Sequence, residues 1–254
     1  MRLNKFFEFV QSDFDPIKSF YIKDELNPKL WEDFKLDVDV RKQLLQIAED
    51  FFEDVEIETD IIDIVFVGSL CNYNWSDKYS DFDLHLIISH SDVDDNEELV
   101  EKFCDYAKKI WNDKHDITIK GYDVEIMLQD IKSLKLGLDT GRIGGAFSLM
   151  NNKWIKKPVK IDFVPDETMI RKKAETIMDT VDGIDDSLNE DDYKLSESNI
   201  KKVWSKIKKY RQSGLETESG ELSIGNLVFK LLRRNGYINK VMDMRRMIYD
   251  KQFK

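Results

Sequence analysis

The sequence predicts an α+β protein, with a small mixed β-sheet and flanking helices followed by an all-helical C-terminal part. Two observations favour this class. Short β-branched runs alternate with amphipathic helical periods over about the first 160 residues, and only helical periods follow them. The 4 prolines and 11 glycines are too few for a collagen-like or Pro/Gly-driven disordered chain. We therefore expect two domains, residues 1–160 and residues 161–254.

The first domain is expected to contain two long helices and four strands. Apolar residues at helical spacing predict helices over residues 39–52 and 96–111, and Asp37 or Asp39 can cap the first of them. Runs rich in β-branched residues predict strands over residues 61–67, 82–88, 116–120 and 122–128.

The second domain is expected to be a set of helices. Helical periods predict helices over residues 166–180, 198–211, 223–234 and 238–249. The sequence between them predicts little order over residues 181–192 and 212–220. Four glycines between residues 137 and 145 predict a flexible stretch before the boundary.

Charge is distributed unevenly along the chain, whose formal net charge is -11. Residues 1–130 contain 14 Lys and Arg against 32 Asp and Glu, whereas residues 131–254 contain 25 against 18. The acidic half would repel nucleic acid, and the basic half could attract a partner that carries phosphate. A surface charge that drifts without any ligand would give the same asymmetry.

Several classes of protein are excluded by composition. Only Cys71 and Cys104 are present, so the chain is not a disulfide-stapled miniprotein. No apolar run approaches the roughly 18 residues of a membrane helix, and the first ten residues do not read as a secretory signal. We expect a cytoplasmic protein with no membrane partner.

Acidic residues repeat at the start of two predicted strands. Asp81 and Asp83 alternate with apolar residues, so they share one face about 7 Å apart. Asp123 and Glu125 repeat the pattern on a later strand. If these strands are neighbours, three or four carboxylates converge. Two such charges 4 Å apart repel by about 4 kcal/mol at an effective dielectric constant near 20, and a divalent cation relieves this cost.

The chemistry of these side chains favours a particular metal and substrate. Carboxylate oxygens without His or Cys select Mg²⁺ or Mn²⁺ over Zn²⁺. The Gly68-Ser69 turn after the first strand can cradle a phosphate, because glycine allows close backbone approach and serine can donate hydrogen bonds. Together they are the apparatus of phosphoryl or nucleotidyl transfer.

These motifs resemble the signature of the DNA polymerase β-like nucleotidyltransferase superfamily. Gly68-Ser69 follows an apolar strand, eleven residues separate it from Asp81-Phe82-Asp83, and Glu125 follows between apolar residues on a later strand. The strings GSLCNYNW, YSDFDLHL, GYDVEIML, AFSLMNNKWIKKP and LVFKLLRRNGY further resemble predicted nucleotidyltransferases of tailed phages, most closely over residues 28–165.

The resemblance implies a reaction and a set of roles. Two Mg²⁺ or Mn²⁺ ions would support transfer of a nucleoside monophosphate from an NTP to an acceptor, with release of pyrophosphate. Asp81, Asp83 and Glu125 would be catalytic and would ligate the metals, although Asp123 is an alternative to Glu125. Residues expected to bind the nucleotide are Gly68, Ser69, Asn72, Ser80, Ser148 and Lys153.

The acceptor and the activity itself are left open by the sequence. A nucleotide or a short nucleic-acid end is the acceptor favoured by the basic half, with Lys230, Arg233 and Arg234 as expected contacts. Two other functions remain: a catalytically silent structural or packaged phage protein, and a regulator that nucleotidylates a host protein.

Overall fold

A computed structural model describes residues 15–189, 193–217, 220–251 and 253 of the chain. It has an α+β fold, which confirms the predicted class. The described residues form two compact units. Residues 22–162 make the sheet unit, and residues 15–21 together with those from 163 onward make the helical unit. The boundary therefore lies close to residue 160, but residues 15–21 belong to the helical unit and not to the sheet unit, where the sequence analysis assigned them.

The sheet unit is built on six strands. They are β3 (Asp63–Val67), β4 (Phe82–Ile88), β5 (Thr118–Ile119), β6 (Tyr122–Asp130), β7 (Ala146–Ser148) and β8 (Lys153–Lys156). Their spatial order is β5-β6-β4-β3-β7-β8, and only the β4–β6 pair is parallel. A separate two-stranded sheet pairs β1 (Trp31–Glu32) with β2 (Lys35–Leu36).

Helices cover both faces of the six-stranded sheet. On one face, α1 (Val38–Val55) and α3 (Glu97–Lys114) contribute apolar side chains to the main core, which also contains Phe66, Phe82 and Leu84. The other face carries a smaller apolar cluster with α4 (Ile131–Asp139). A short helix, α2 (His90–Val93), connects β4 to α3.

Local sequence explains why α1 and α4 begin where they do. The Asp37 carboxylate accepts hydrogen bonds from the backbone N–H groups of Asp39 and Val40, and so caps α1. Asp130, the last residue of β6, accepts from the N–H of Lys132 and caps α4 in the same way. A strand that ends in a cap passes directly into a helix, and α4 is thereby held against the end of β6.

The helical unit contains four long helices. They are α5 (Glu167–Asn189), α6 (Tyr193–Leu215), α7 (Ile224–Arg234) and α8 (Tyr237–Lys251). A 3₁₀ turn, Pro16–Phe20, packs Ile17 and Phe20 into the same core. Ser223 caps α7 by accepting a hydrogen bond from the backbone N–H of Asn226.

Two expectations of low order were wrong over the described residues. Helix α5 continues to Asn189, because Val181, Ile184 and Leu188 extend its buried face beyond the predicted end at residue 180. Helix α6 likewise covers residues 212–215. Residues 190–192 and 218–219 lie outside the described residues. The stretch 137–145 begins as the last turn of α4. Among the described helices, none combines the length and apolar character needed to cross a bilayer.

Candidate active site

Two acidic residues are direct strand partners where β4 and β6 run side by side. In the parallel register, Asp83 is the direct partner of Glu125, and the flanking pairs Phe82–Val124 and Leu84–Ile126 are buried in the core. Side chains alternate along a strand, so the two carboxylates share the opposite face. Asp81 lies just before β4, two residues from Asp83 in the chain.

A glycine backbone packs directly against the Asp83 carboxylate. Val67, at the end of β3, is paired with Asp83, and Gly68 follows with φ +81° and ψ −163°, a region open in practice only to glycine. A Cβ atom at Gly68 would lie 1.8 Å from Oδ2 of Asp83. The glycine therefore supplies both the turn and the space that the carboxylate occupies.

Hydroxyl groups organise the loop that joins β3 to β4. The Ser69 and Ser80 hydroxyls are 2.7 Å apart and share a hydrogen bond. Ser80 Oγ also accepts from the backbone N–H of Ser76 at 2.9 Å. Ser69 and Ser80 each neighbour one of the predicted motifs, so this bond ties the Gly68-Ser69 turn to the segment that delivers Asp81.

A second pair of glycines lies against the same turn. A Cβ atom at Gly144 would meet the Asn72 amide nitrogen at 2.4 Å, and one at Gly145 would meet the carbonyl oxygen of Cys71 at 2.0 Å. Burial raises the pKa of the Cys71 thiol well above its ordinary value, and the nearby Asp83 charge adds to this effect. Cys71 is thus a packing residue beneath the turn and not a nucleophile.

Lysine 108 is a charged neighbour that sequence reasoning missed. It projects from α3, and its Nζ lies 3.7 Å from Oε2 of Glu125 and 4.0 Å from the Met127 sulfur. A lysine in an amphipathic helix ordinarily lies in solvent, so nothing in the pattern of residues 96–111 indicated this contact. Lys108 brings one positive charge to the edge of the acidic pair.

Histidine 85 continues the face of Asp83 further along β4. Its Nδ1 lies 2.8 Å from the Gln129 side-chain oxygen on β6. Burial lowers the pKa of His85 to about 4, and the nearby Lys108 charge acts in the same direction, whereas the Gln129 hydrogen bond opposes them. His85 is therefore neutral at pH 7, and its hydrogen bond to Gln129 joins β4 to β6 beside the acidic pair.

Not all residues expected at the nucleotide site are brought together. Gly68, Ser69, Asn72 and Ser80 surround the turn beside Asp83. In contrast, Ser148 pairs with Val65 across β7, and its hydroxyl donates to Asp63 at 2.8 Å, at the far end of β3. Lys153 is exposed on the edge strand β8, opposite Ser148. Val65 is two residues along β3 from Val67, the partner of Asp83, and β3 separates Ser148 and Lys153 from β4.

The alternative carboxylate on β6, Asp123, is placed differently from Glu125. Asp123 pairs with Thr118 in the short β5–β6 hairpin, whereas Glu125 is the partner of Asp83, and both residues are exposed. Both point to the same face of β6. The register therefore favours Glu125 as the closer partner of Asp83.

The three basic residues expected to contact an acceptor belong to the helical unit and have different surroundings there. Lys230 forms an ion pair with Glu221 at 3.3 Å. Arg234 donates to the Ser19 hydroxyl and lies 4.7 Å from the centre of the Phe20 ring. Arg233 is exposed. Arg234 is thus committed to holding the 3₁₀ turn, which leaves Arg233 as the exposed member of the three.

The donor set at Asp83 suits a hard divalent cation. Within the described ranges, no three His, Cys, Asp or Glu side chains converge as a group able to hold a metal ion. The strand partners Asp83 and Glu125, with Asp81 two residues before Asp83 in the chain, nevertheless carry the oxygen ligands that Mg²⁺ and Mn²⁺ prefer. These residues suit the metal by the chemistry of their ligand atoms.

Comparisons of the chain with protein-family models, with curated proteins and with solved structures find no match.

Proposed function

We propose that the protein is a metal-dependent nucleotidyltransferase with a polymerase β-like catalytic core in its sheet unit. One observation carries the proposal: Asp83 and Glu125 are direct partners on parallel strands, and the backbone of Gly68 packs against the Asp83 carboxylate. A glycine turn beside paired carboxylates suits a substrate that combines phosphates with divalent cations.

Asp83, Glu125 and Asp81 would hold Mg²⁺ or Mn²⁺, two ions in the resemblance described above. When bound, such ions neutralise phosphate charge and lower the pKa of a coordinated hydroxyl. Two like charges opposite each other on neighbouring strands are unfavourable. A bound cation would offset their repulsion and so would explain why the carboxylates are paired.

The remaining residues have roles that follow from their contacts. The Gly68 and Ser69 backbone N–H groups and the Ser69 hydroxyl can donate to the triphosphate, and the Ser69–Ser80 bond orients that hydroxyl. Glu125 can accept the proton of the acceptor hydroxyl at its carboxylate. Lys108, 3.7 Å from Glu125, can offset negative charge as phosphates enter.

The acceptor that we propose is a nucleotide or a nucleic-acid end. Residues 193–215, which form α6, contain seven Lys and Arg against one Glu. Lys202, Lys206 and Lys209 are exposed along this helix. A basic helix attracts phosphate and makes binding sensitive to salt. Charge reversal of Lys202 and Lys206 should raise the KM for the acceptor and leave the KM for NTP unchanged.

The deciding experiment is turnover of each NTP with Mg²⁺ or Mn²⁺, scored by pyrophosphate release in the presence of RNA, DNA, protein and small-alcohol acceptors. The proposal expects metal-dependent release that Asp83→Asn abolishes and Asp123→Asn largely preserves. Absence of release with every NTP and acceptor, from a folded protein, would favour the catalytically silent alternative.

A further inference from the structure

A groove in the helical unit runs between α6 and α8, and its volume is about 520 Å³. We call it the α6–α8 groove. Its base is apolar, because Ile200 and Ile248 line it and are buried. Its other lining residues include three cations, one aromatic ring and one carboxylate: Lys201, Arg245, Arg246, Tyr249 and Glu197. A concave surface that combines apolar and cationic side chains suits a ligand with both flat apolar parts and negative charge.

Positive charge and aromatic rings alternate across this groove. Arg245, Arg246 and Tyr249 share one face of α8, because residues three and four apart are neighbours on a helix. Trp204 and Lys208 are likewise neighbours on α6. The Arg245 guanidinium lies 5.5 Å from the centre of a Trp204 ring, and Nζ of Lys208 lies 6.0 Å from it. Two helices thus contribute to one basic and aromatic surface.

The cations of the groove are accessible to a new anion. Lys201, Arg245 and Arg246 are all exposed. Lys201 is paired with Glu197 and Arg246 with Asp243, but ion pairs of exposed side chains contribute little and can be exchanged for phosphate. Arg245 forms no ion pair with any residue that the structure describes. A guanidinium of this kind is a good ligand for phosphate.

The aromatic side chains at the groove are also accessible. Tyr249 is 63% exposed, and its ring centre lies 5.2 Å from that of Phe253, which is also exposed. The Trp204 ring is partly buried beneath Arg245. Exposed rings beside cations are the surface on which unpaired bases stack, and such stacking tolerates any base because every base has a flat face.

We infer that the α6–α8 groove binds single-stranded nucleic acid, with bases stacked on Tyr249 and phosphates held by Lys201, Arg245 and Arg246. A duplex keeps its bases stacked on one another, so they cannot reach these rings. An acidic peptide offers carboxylates but no flat bases. The inference would make a single strand the acceptor in the proposed reaction, and for that role alone it rests on the proposed function.

Binding can be measured without any catalytic step. Fluorescence anisotropy of a labelled oligothymidylate of about 12 nucleotides, titrated with the full chain without NTP or divalent metal, gives the affinity over a series of salt concentrations. The log–log slope of affinity against salt should be about −2, because each of three phosphate contacts contributes about −0.7 on a single strand. A duplex of equal length should bind at least about tenfold more weakly.

Two groove variants should fail in different ways. Arg245→Gln removes one phosphate contact, so it should lower the affinity and reduce the magnitude of the salt slope by about 0.7. Tyr249→Ala should lower the affinity by roughly tenfold and leave the slope unchanged, because a stacked base releases no counterion. Lys172→Gln, an exposed change on α5, is the matched control and should bind like wild type. Circular dichroism checks that each variant is folded.

The same assay separates this inference from the proposed catalysis. Asp83→Asn should bind the oligonucleotide like wild type, and intact binding without any NTP turnover would contradict the proposed function alone. Four results would each overturn the inference: no binding at low salt, equal affinity for single strand and duplex, wild-type affinity in both groove variants, or polyglutamate of equal length competing as well as unlabelled oligonucleotide.

Discussion

Carboxylates in the two units are surrounded in opposite ways. In the helical unit, Glu167 accepts hydrogen bonds from Lys18 and Tyr21, each at 2.7 Å, and Asp182 accepts from Tyr237 and Lys240 at 2.9 and 2.8 Å. In the sheet unit, Asp83 has another carboxylate, Glu125, as its strand partner.

The carboxylates of the helical unit have contacts that stabilise the fold, whereas for Asp83 and Glu125 we propose a role in binding a cation. Donors around Glu167 lower the pKa of that carboxyl to about 2, with the Lys18 hydrogen bond as the largest cause. Such a group stabilises the folded state wherever it is ionised. Asp83 and Glu125 offer no hydrogen-bond donor to each other, and Lys108 lies 3.7 Å from Glu125. The cation that we propose would give the pairing of these two carboxylates a function.

The largest expected effect is the loss of activity in Asp83→Asn. The variant keeps the shape of the side chain but removes the charge that we propose ligates the metal, so the proposed pyrophosphate release should fall by at least about 100-fold. Its free energy of unfolding should be unchanged or slightly higher, because one of two facing charges is removed. Asp123→Asn is the matched control and should retain most activity. A clear loss of stability in Asp83→Asn would mean that the carboxylate is structural.

Substitution of Gly68 should affect both stability and activity. Gly68→Ala forces either the turn or the Asp83 carboxylate to move, at a cost of about 2–3 kcal/mol in unfolding free energy. Gly121 has a similar φ, +86°, but its added Cβ would have nothing within 4 Å, so Gly121→Ala should cost only about 1 kcal/mol. Urea unfolding of both variants measures the difference. Equal losses of unfolding free energy in the two variants would show that the close approach of Gly68 to Asp83 adds nothing to the cost of Gly68→Ala.

Divalent cations should stabilise the sheet unit. Mn²⁺ at 100 times its Kd adds about 2.7 kcal/mol to the free energy of unfolding if it binds the folded state alone. Differential scanning calorimetry with Mn²⁺ and with a chelator should show a higher Tm for wild type and for Asp123→Asn. The Tm of Asp83→Asn should not respond. A response of equal size in all three proteins would place the metal elsewhere.

The smallest effect is expected at Glu167. Its folded pKa is about 2, below the ordinary value near 4.5, so its stabilisation is present above pH 4.5 and disappears as the pH falls towards 2. Glu167→Gln should cost about 1 kcal/mol at pH 7, a modest figure because Lys18 is largely exposed and solvent screens the pair.

The same variant has a pH signature that a packing defect lacks. The difference between Glu167→Gln and wild type in urea unfolding should narrow from pH 5 to pH 2. Glu175→Gln, an exposed change on the same helix, is the control and should match wild type throughout. A loss in Glu167→Gln that stays constant with pH would assign the effect to shape and not to charge.

Much of the sheet unit follows from local pattern. The β-branched run and the alternation of Asp81 and Asp83 with apolar residues predicted β3 and β4 closely. The parallel β4–β6 register, which makes Glu125 the partner of Asp83, could not be read from either strand alone, because register is set by pairing and by the core beneath. Strands β7 and β8 were missed because they are only three and four residues long.

The surroundings of a side chain are harder to predict than its element. Helical spacing predicted α3, but Val100 is buried against the sheet whereas Leu99, Phe103 and Ile110 are exposed. A sequence period reports that side chains are apolar, and it does not report what lies opposite them. The hydrogen bond from the Ser148 hydroxyl to Asp63 likewise joins residues far apart in the sequence.

The 3₁₀ turn Pro16–Phe20 has a consequence for biosynthesis. Ile17 and Phe20 belong to the core of helices that follow residue 163, so one folding unit is interrupted in sequence by another. During translation, residues 22–162 can fold before the helices that pack against Ile17 and Phe20 have left the ribosome. A recombinant fragment that starts at residue 163 would lack both side chains, and its core would have a gap where the turn belongs.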